Sequence, residues 1–191
     1  MDLVATYRRS LAEFTDRVGL VADQQWSEPT PCADWDVRTL VNHVVGEELW
    51  TVPLLAGATI EEVGARFDGE LLGADPVGSA RQAAAQTEAA IAEPGALDRT
   101  VQLSFGETPA EEYVRQLLAD YLIHAWDLAV AIGADPRLDP EVVHECAAWF
   151  VGREHLYRRG GSIGPRVEVP ADADEQDRLL GAFGRDPDWQ P

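Results

Sequence analysis

The sequence predicts an all-α fold, four or five antiparallel helices in one bundle with a turn-rich C-terminal tail. Three observations lead there. Apolar residues recur at spacings of three and four over several long segments, the period of a helix with one buried face. Helix-start signals, an Asp or Thr followed by Pro or by an acidic residue, precede most of these segments. The one alternating stretch, residues 99–106 (RTVQLSFG), has no evident partner and is read as loop, because a lone strand cannot satisfy its backbone.

Taken in order, residues 2–22 carry Leu3, Tyr7, Leu11, Phe14, Val18 and Val21 on one helical face, with Asp2 as the cap. A loop with Pro29 and Pro31 follows. Asp36 caps a second helix over about 37–52, with Val37, Leu40, Val41, Val44 and Val45 on its apolar side. Residues 53–74 are broken by Pro53 and four glycines, and Thr59 with Glu62 predicts a capping box for a short helix. Asp75-Pro76 opens a third long helix over 76–92, ended by Pro94-Gly95. Thr108-Pro109-Ala110-Glu111 predicts the start of the fourth, which runs to Ile132 and stops at Gly133. Asp139-Pro140 opens a fifth, running to about Arg158. A short helix over 174–183, capped by Asp172 or Asp174, lies in the tail. Residues 1–160 are thus read as the bundle and 161–191 as a tail packed on it in the same domain.

The bulk numbers narrow the function. A chain of 191 residues fits one domain with a real core. Its formal net charge is −19, and all 15 basic residues are Arg. That field repels phosphate backbones, so no nucleic-acid partner is expected. Two cysteines, Cys32 and Cys146, are too few for a disulfide framework. The N-terminus lacks the long apolar run of a signal peptide, and no segment reaches the roughly 18 apolar residues that span a bilayer. The expectation is a soluble, cytoplasmic protein with no membrane partner.

Three polar residues interrupt apolar helical stripes: His43 on the second helix, and Asp120 and His124 on the fourth. Residues four apart share a helix face, so Asp120 and His124 can grip one ion together, and His43 can add a third ligand from the facing helix. Two imidazoles and a carboxylate leave a coordination position open, the pattern of a reactive site. A buried Asp is equally served by an Arg or a capped backbone, and a lone core histidine by a hydrogen bond, so the residues alone leave both readings open. Glu47, one turn from His43, is a partner that orients an imidazole, a general base on a metal-bound water or, with Glu48, half of a solvated face. Trp35 and Trp126 line the pocket or serve as core aromatics. His144 and His155 are read as surface or structural groups. Cys32 is read as structural, since no basic residue lies near it in sequence to activate it. No phosphate-binding or Ser-His-Asp pattern is present.

The stretch Trp26-Ser27-x-Pro29-Thr30-Pro31-Cys32-x-x-Trp35-Asp36-Val37-Arg38-x-Leu40-x-x-His43 resembles the first motif of the DinB-like superfamily. In particular it resembles the metal-binding N-terminal domain of mycothiol-dependent maleylpyruvate isomerases and the small actinobacterial proteins related to them. Asp120-x-x-x-His124-x-Trp126-Asp127-Leu128-Ala129 matches the second motif. The tail segments Gly164-Pro165-x-Val167-x-Val169-Pro170, Asp177-Arg178-Leu179-Leu180 and Gly184-Arg185-Asp186-Pro187 resemble the small stand-alone members. The resemblance implies a DinB-like four-helix bundle, here with an extra helix and the tail. It implies a divalent metal on His43, Asp120 and His124: zinc first, with nickel or iron compatible. The isomerases have Glu at the middle position; Asp120 is one methylene shorter and would bring the metal nearer the fourth helix. The isomerases also carry a separate C-terminal domain, which this chain is read as lacking, so maleylpyruvate isomerase activity itself is not expected. What the resemblance implies instead is activation of a low-molecular-weight thiol, mycothiol, or of water toward a small electrophile, with Glu47 as base. The alternative is a non-catalytic metal- or ligand-binding module. A small molecule or thiol is the expected partner, and a homodimer is left open.

Overall fold

The structure, a computed structural model, describes residues 2–191. In chain order it has α1 (Leu3–Val18), α2 (Val37–Leu55), α3 (Ile60–Val63), α4 (Pro76–Ile91), β1 (Thr100–Leu103), β2 (Gly106–Pro109), α5 (Ala110–Ile132), α6 (Pro140–Phe150), α7 (Glu154–Gly160) and α8 (Glu175–Ala182), with single 3-10 turns at Asp23–Gln25 and Ala96–Asp98. The fold is all-α apart from one short hairpin. Helices α1, α5, α2 and α4 form the bundle, with α1 and α2 each packed against both α4 and α5.

Local chemistry explains the helix starts. Asp2, Asp36, Thr59, Asp75, Asp139 and Asp174 each accept a backbone N–H from the first turn of the helix that follows, and Thr59 with Glu62 forms the full capping box. Helix α1 buries Leu3, Tyr7, Leu11, Phe14 and Val18 and ends there, one turn earlier than the periodicity suggests. Helix α2 runs through Pro53 to Leu55, whose carbonyl accepts a hydrogen bond from Arg99 Nη1 at 2.9 Å. Helix α5, 23 residues long, is buried on most of its circumference and stops where Gly133 turns left-handed at φ 69°.

Two expectations are corrected. Residues 99–106 are not all loop: β1 pairs antiparallel with β2, Thr100 opposite Pro109 and Leu103 opposite Gly106. Thr108 and Pro109 therefore belong to the hairpin, and α5 starts at Ala110 without a side-chain cap. The fifth helix is also two. Gly152 adopts φ 78°, a left-handed conformation that ends α6 after Phe150, and the 78% exposed Val151 offers no apolar anchor to carry the helix through. The bundle thus has several short additional helices instead of one.

The tail packs back on the bundle. Phe183 stacks on Phe150 with ring centroids 4.2 Å apart. Val167 N–H donates to the Gly181 carbonyl at 3.0 Å, an approach so close that a Cβ on Gly181 would sit 2.5 Å from the Val167 oxygen. Gly184, at φ 79°, then turns the chain so that Arg185 points at the end of the bundle where α2 and α5 carry the polar residues. Among the described residues no helix is long and apolar enough to cross a membrane.

Candidate metal centre

His43 on α2 and Asp120 and His124 on α5 come together. One ligand atom from each lies within 4.8 Å of the others. Asp120 bridges the pair: its Oδ2 is 3.5 Å from His43 Nε2 and its Oδ1 is 3.4 Å from His124 Nε2. These distances are long for hydrogen bonds. Each is near the roughly 3.3 Å separation of neighbouring ligands on an ion bound at about 2.0–2.1 Å, with a different Asp120 oxygen facing each imidazole. Asp120 Oδ2 is closed off from solvent and has no hydrogen-bond partner, a cost that an ion would remove. The donor set and its spacing fit a divalent transition metal.

The surroundings are asymmetric. His124 is buried, 7% exposed at its side chain, whereas His43 and Asp120 are about one third exposed and leave one side of the cluster open. Trp35 packs over both histidines, with ring centroids 4.9 Å from His43 and 5.9 Å from His124. It is held there by the loop before α2. Thr30 N–H and Oγ1–H both donate to the Trp35 carbonyl, and Asp34 takes a left-handed φ of 65° to close the turn from Cys32. Trp126, 2% exposed, is core. The two tryptophans that the sequence treats alike are therefore separated by the fold.

Behind His124 lies a second layer that sequence reasoning left without a role. His124 Nδ1 is 2.9 Å from Asp127 Oδ2. Arg185 from the tail grips the same carboxylate with two prongs, Nε to Oδ1 at 2.7 Å and Nη2 to Oδ2 at 2.8 Å. Cys32 Sγ fills the corner, 3.2 Å from Asp127 Oδ2 and 3.2 Å from Arg185 Nη2. No basic residue is near Cys32 in sequence, but Arg185 reaches it from the far end of the chain. Asp127 and Arg185 were visible only as letters within motifs.

The electrostatics follow from this crowding. Burial pushes Asp120 up, but His124 and His43 more than offset it, and the carboxyl sits well below its ordinary range. Burial disfavours an imidazolium at His124, yet Asp120, Asp127 and Cys32 hold its pKa well above the usual histidine value. Glu47 is raised by burial first and then by the Asp120 charge, so it faces the same cluster. The pairing of Glu47 and Glu48 as one solvated face is corrected, because Glu48 is 1% exposed and turned into the core. His144 pairs with Glu175 on the surface, Nδ1 to Oε1 at 3.0 Å, and His155 is exposed, both away from the cluster.

A family model, the mycothiol maleylpyruvate isomerase N-terminal domain, matches residues 7–129. The chain belongs to this family. Within the mycothiol maleylpyruvate isomerase N-terminal domain family, two curated relatives come from Mycobacterium tuberculosis: Uncharacterized protein MT0763 of strain CDC 1551 / Oshkosh and Uncharacterized protein Rv0738 of strain ATCC 25618 / H37Rv. Each is 35% identical over 187 residues, 97% of this chain and 98% of the relative. Two crystal structures share the fold. One is the mycothiol-dependent maleylpyruvate isomerase, at TM-score 0.69 and 16% identity over 98% of this chain and 90% of that one. The other is a histidine-to-alanine variant of a mycothiol-dependent maleylpyruvate isomerase, at TM-score 0.62 and 16% identity over 80% of this chain and 69% of that one. The family match contains all three metal-ligand candidates, Cys32 and Asp127, but ends before Arg185.

Proposed function

We propose that the chain is a divalent-metal-dependent enzyme that activates a low-molecular-weight thiol, mycothiol, or water toward a small electrophilic substrate. The observation that carries the reading is the His43, Asp120 and His124 cluster, with ligand atoms within 4.8 Å and an unpartnered Asp120 oxygen. Family membership supports the thiol, since the family takes its description from a mycothiol-dependent isomerase. A bound divalent ion, zinc first, lowers the pKa of a coordinated thiol or water and so supplies a nucleophile near neutral pH.

The chain's own residues do the rest. His43, Asp120 and His124 hold the ion from one side and leave the solvent-facing side for the incoming thiol. Trp35 covers both imidazoles and limits where a substrate can approach. Glu47, one turn from His43, accepts the proton that the nucleophile gives up. The bundle and the 161–191 tail act as one unit.

The test is elemental analysis of protein purified without a metal-affinity tag, expected to give roughly one divalent metal per chain. His124→Ala should lose it and His144→Ala should keep it; full occupancy in His124→Ala sinks the ligand assignment. In cobalt-loaded protein, mycothiol should produce a thiolate-to-metal charge-transfer band. If no thiol perturbs the spectrum while a carboxylate ligand does, the thiol reading fails and the non-catalytic binding module takes its place.

A further inference from the structure

Asp127 is 0% exposed and carries four polar contacts. A carboxylate only accepts hydrogen bonds, so the 2.9 Å contact to His124 requires that Nδ1 carry the proton. In the neutral imidazole, the form that binds a metal, this leaves the Nε2 lone pair facing Asp120 and the open side of the cluster. The Arg185 guanidinium is spent on this arrangement: Nε and Nη2 hold Asp127, Nη2 also reaches Cys32, and Nη1 approaches the Phe183 carbonyl at 3.4 Å. Arg185 is therefore not free to bind a substrate. It is brought into place by the Gly184 turn and by the stack of Phe183 on Phe150.

We propose that Asp127 and Arg185 are positioning residues that fix His124 as an Nε2 metal ligand, so that the C-terminal tail, through Arg185, is a working part of the metal centre. The inference rests on the metal reading above. Physically, a histidine ligand whose far nitrogen is held by a carboxylate is oriented, kept in the right tautomer and made more basic. Arg185 adds a second constraint, because its planar two-pronged grip fixes the plane of the Asp127 carboxylate. A carboxylate buried without it would be free to turn, and His124 would lose its anchor.

The experiment measures zinc affinity of the full chain by competition with a chromophoric chelator. Compared are the wild type, Asp127→Asn, Arg185→Ala, the double variant, and Arg166→Ala as a control from the same tail. Arg166 pairs with Glu154 and touches neither Asp127 nor Cys32 in that pairing. Asp127→Asn should weaken binding about 10–100-fold and Arg185→Ala about tenfold, whereas Arg166→Ala should change nothing. Because Arg185 acts through Asp127, the double variant should be no weaker than Asp127→Asn within about twofold. Imidazole 15N shifts give a readout that general destabilisation does not move. His124 should be a single Nδ1–H species in the zinc-free wild type once neutral, and a mixture of tautomers in Asp127→Asn. Should Asp127→Asn not fold, Arg185→Ala and Arg185→Lys decide, with Lys restoring less than half of the lost affinity because it lacks the fork. Zinc affinity within twofold of wild type in both single variants, or fully additive losses, overturns the inference. A wild type that binds no zinc instead removes the metal reading itself, and the two failures are distinct.

Discussion

Glu48 is the most exposed to test of the structural findings. Its side chain lies in the bundle core at 1% exposure, and Oε2 has no hydrogen-bond partner. Burial alone pushes its carboxyl well above the ordinary value of 4.5. In the unfolded chain the group ionises near pH 4.3, whereas in the folded protein it keeps its proton to a higher pH. The stability that Glu48 contributes is therefore fully present below the unfolded pKa and is lost as pH rises toward the folded one. Across that window one group costs at most about 1.4 kcal/mol per pH unit. For a chain of this size that corresponds to roughly 3–6 °C in Tm per unit. Glu48→Gln keeps the shape and cannot ionise. Its buried amide carries a pH-independent penalty of about 1–3 kcal/mol. Urea denaturation of both proteins from pH 4.5 to 8 gives a difference curve in which the other titrating groups cancel. The Gln variant should start less stable and gain on the wild type as pH rises, with a slope of up to about 1.4 kcal/mol per pH unit. A flat difference curve would refute the burial of Glu48 as an uncompensated carboxyl.

Three further outcomes are expected. Ser10→Ala removes the 2.8 Å bond from Ser10 Oγ to the Leu118 carbonyl that ties α1 to α5, and chemical denaturation should show a loss of about 1 kcal/mol. Gly181→Ala places a Cβ 2.5 Å from the Val167 carbonyl, so the tail must shift; limited proteolysis should cut residues 161–191 faster than in wild type, and zinc affinity should fall as Arg185 moves. With a net charge of −19 and no Lys, the chain should give no salt-sensitive micromolar affinity for duplex DNA in an anisotropy titration.

Helix starts were legible because capping is local. An Asp followed by Pro, or a Thr three residues before Glu, does its work within one turn, and the sequence shows the whole of it. The hairpin was not legible, because its two strands are four residues each and only Val101 and Thr108 are buried. Moreover, Thr108-Pro109 reads as a helix start on local grounds, and pairing with β1 overrides that preference. The break between α6 and α7 had a signal in Gly152, outweighed by the apolar residues on either side. Glu48 also had one. It is spaced four from Val44, three from Thr51 and seven from Leu55, all buried on α2, so the helical period places it in the core. Reading it with its neighbour Glu47 as a charged pair set that spacing aside.

The site divides the same way, by the distance over which each contact acts. His43, Asp120 and His124 were legible because each is a polar break in an apolar stripe, and because one turn of helix fixes the Asp120 and His124 pair without help from the rest of the fold. Asp127 lies three residues from His124 and had the spacing to be found, but at three residues a carboxylate faces solvent as readily, and only the burial of α5 on most of its circumference removes that choice. Arg185 had no local signal at all. It is 58 residues from Asp127 and 153 from Cys32 along the chain, and its direction depends on a left-handed glycine, an aromatic stack and a tail that closes over Gly181. Any one of those features reads as ordinary turn chemistry. Their joint effect, a guanidinium delivered to Asp127 behind His124, exists only once the tail is docked, and this makes the tail the decisive place to perturb the candidate centre without touching His43, Asp120 or His124.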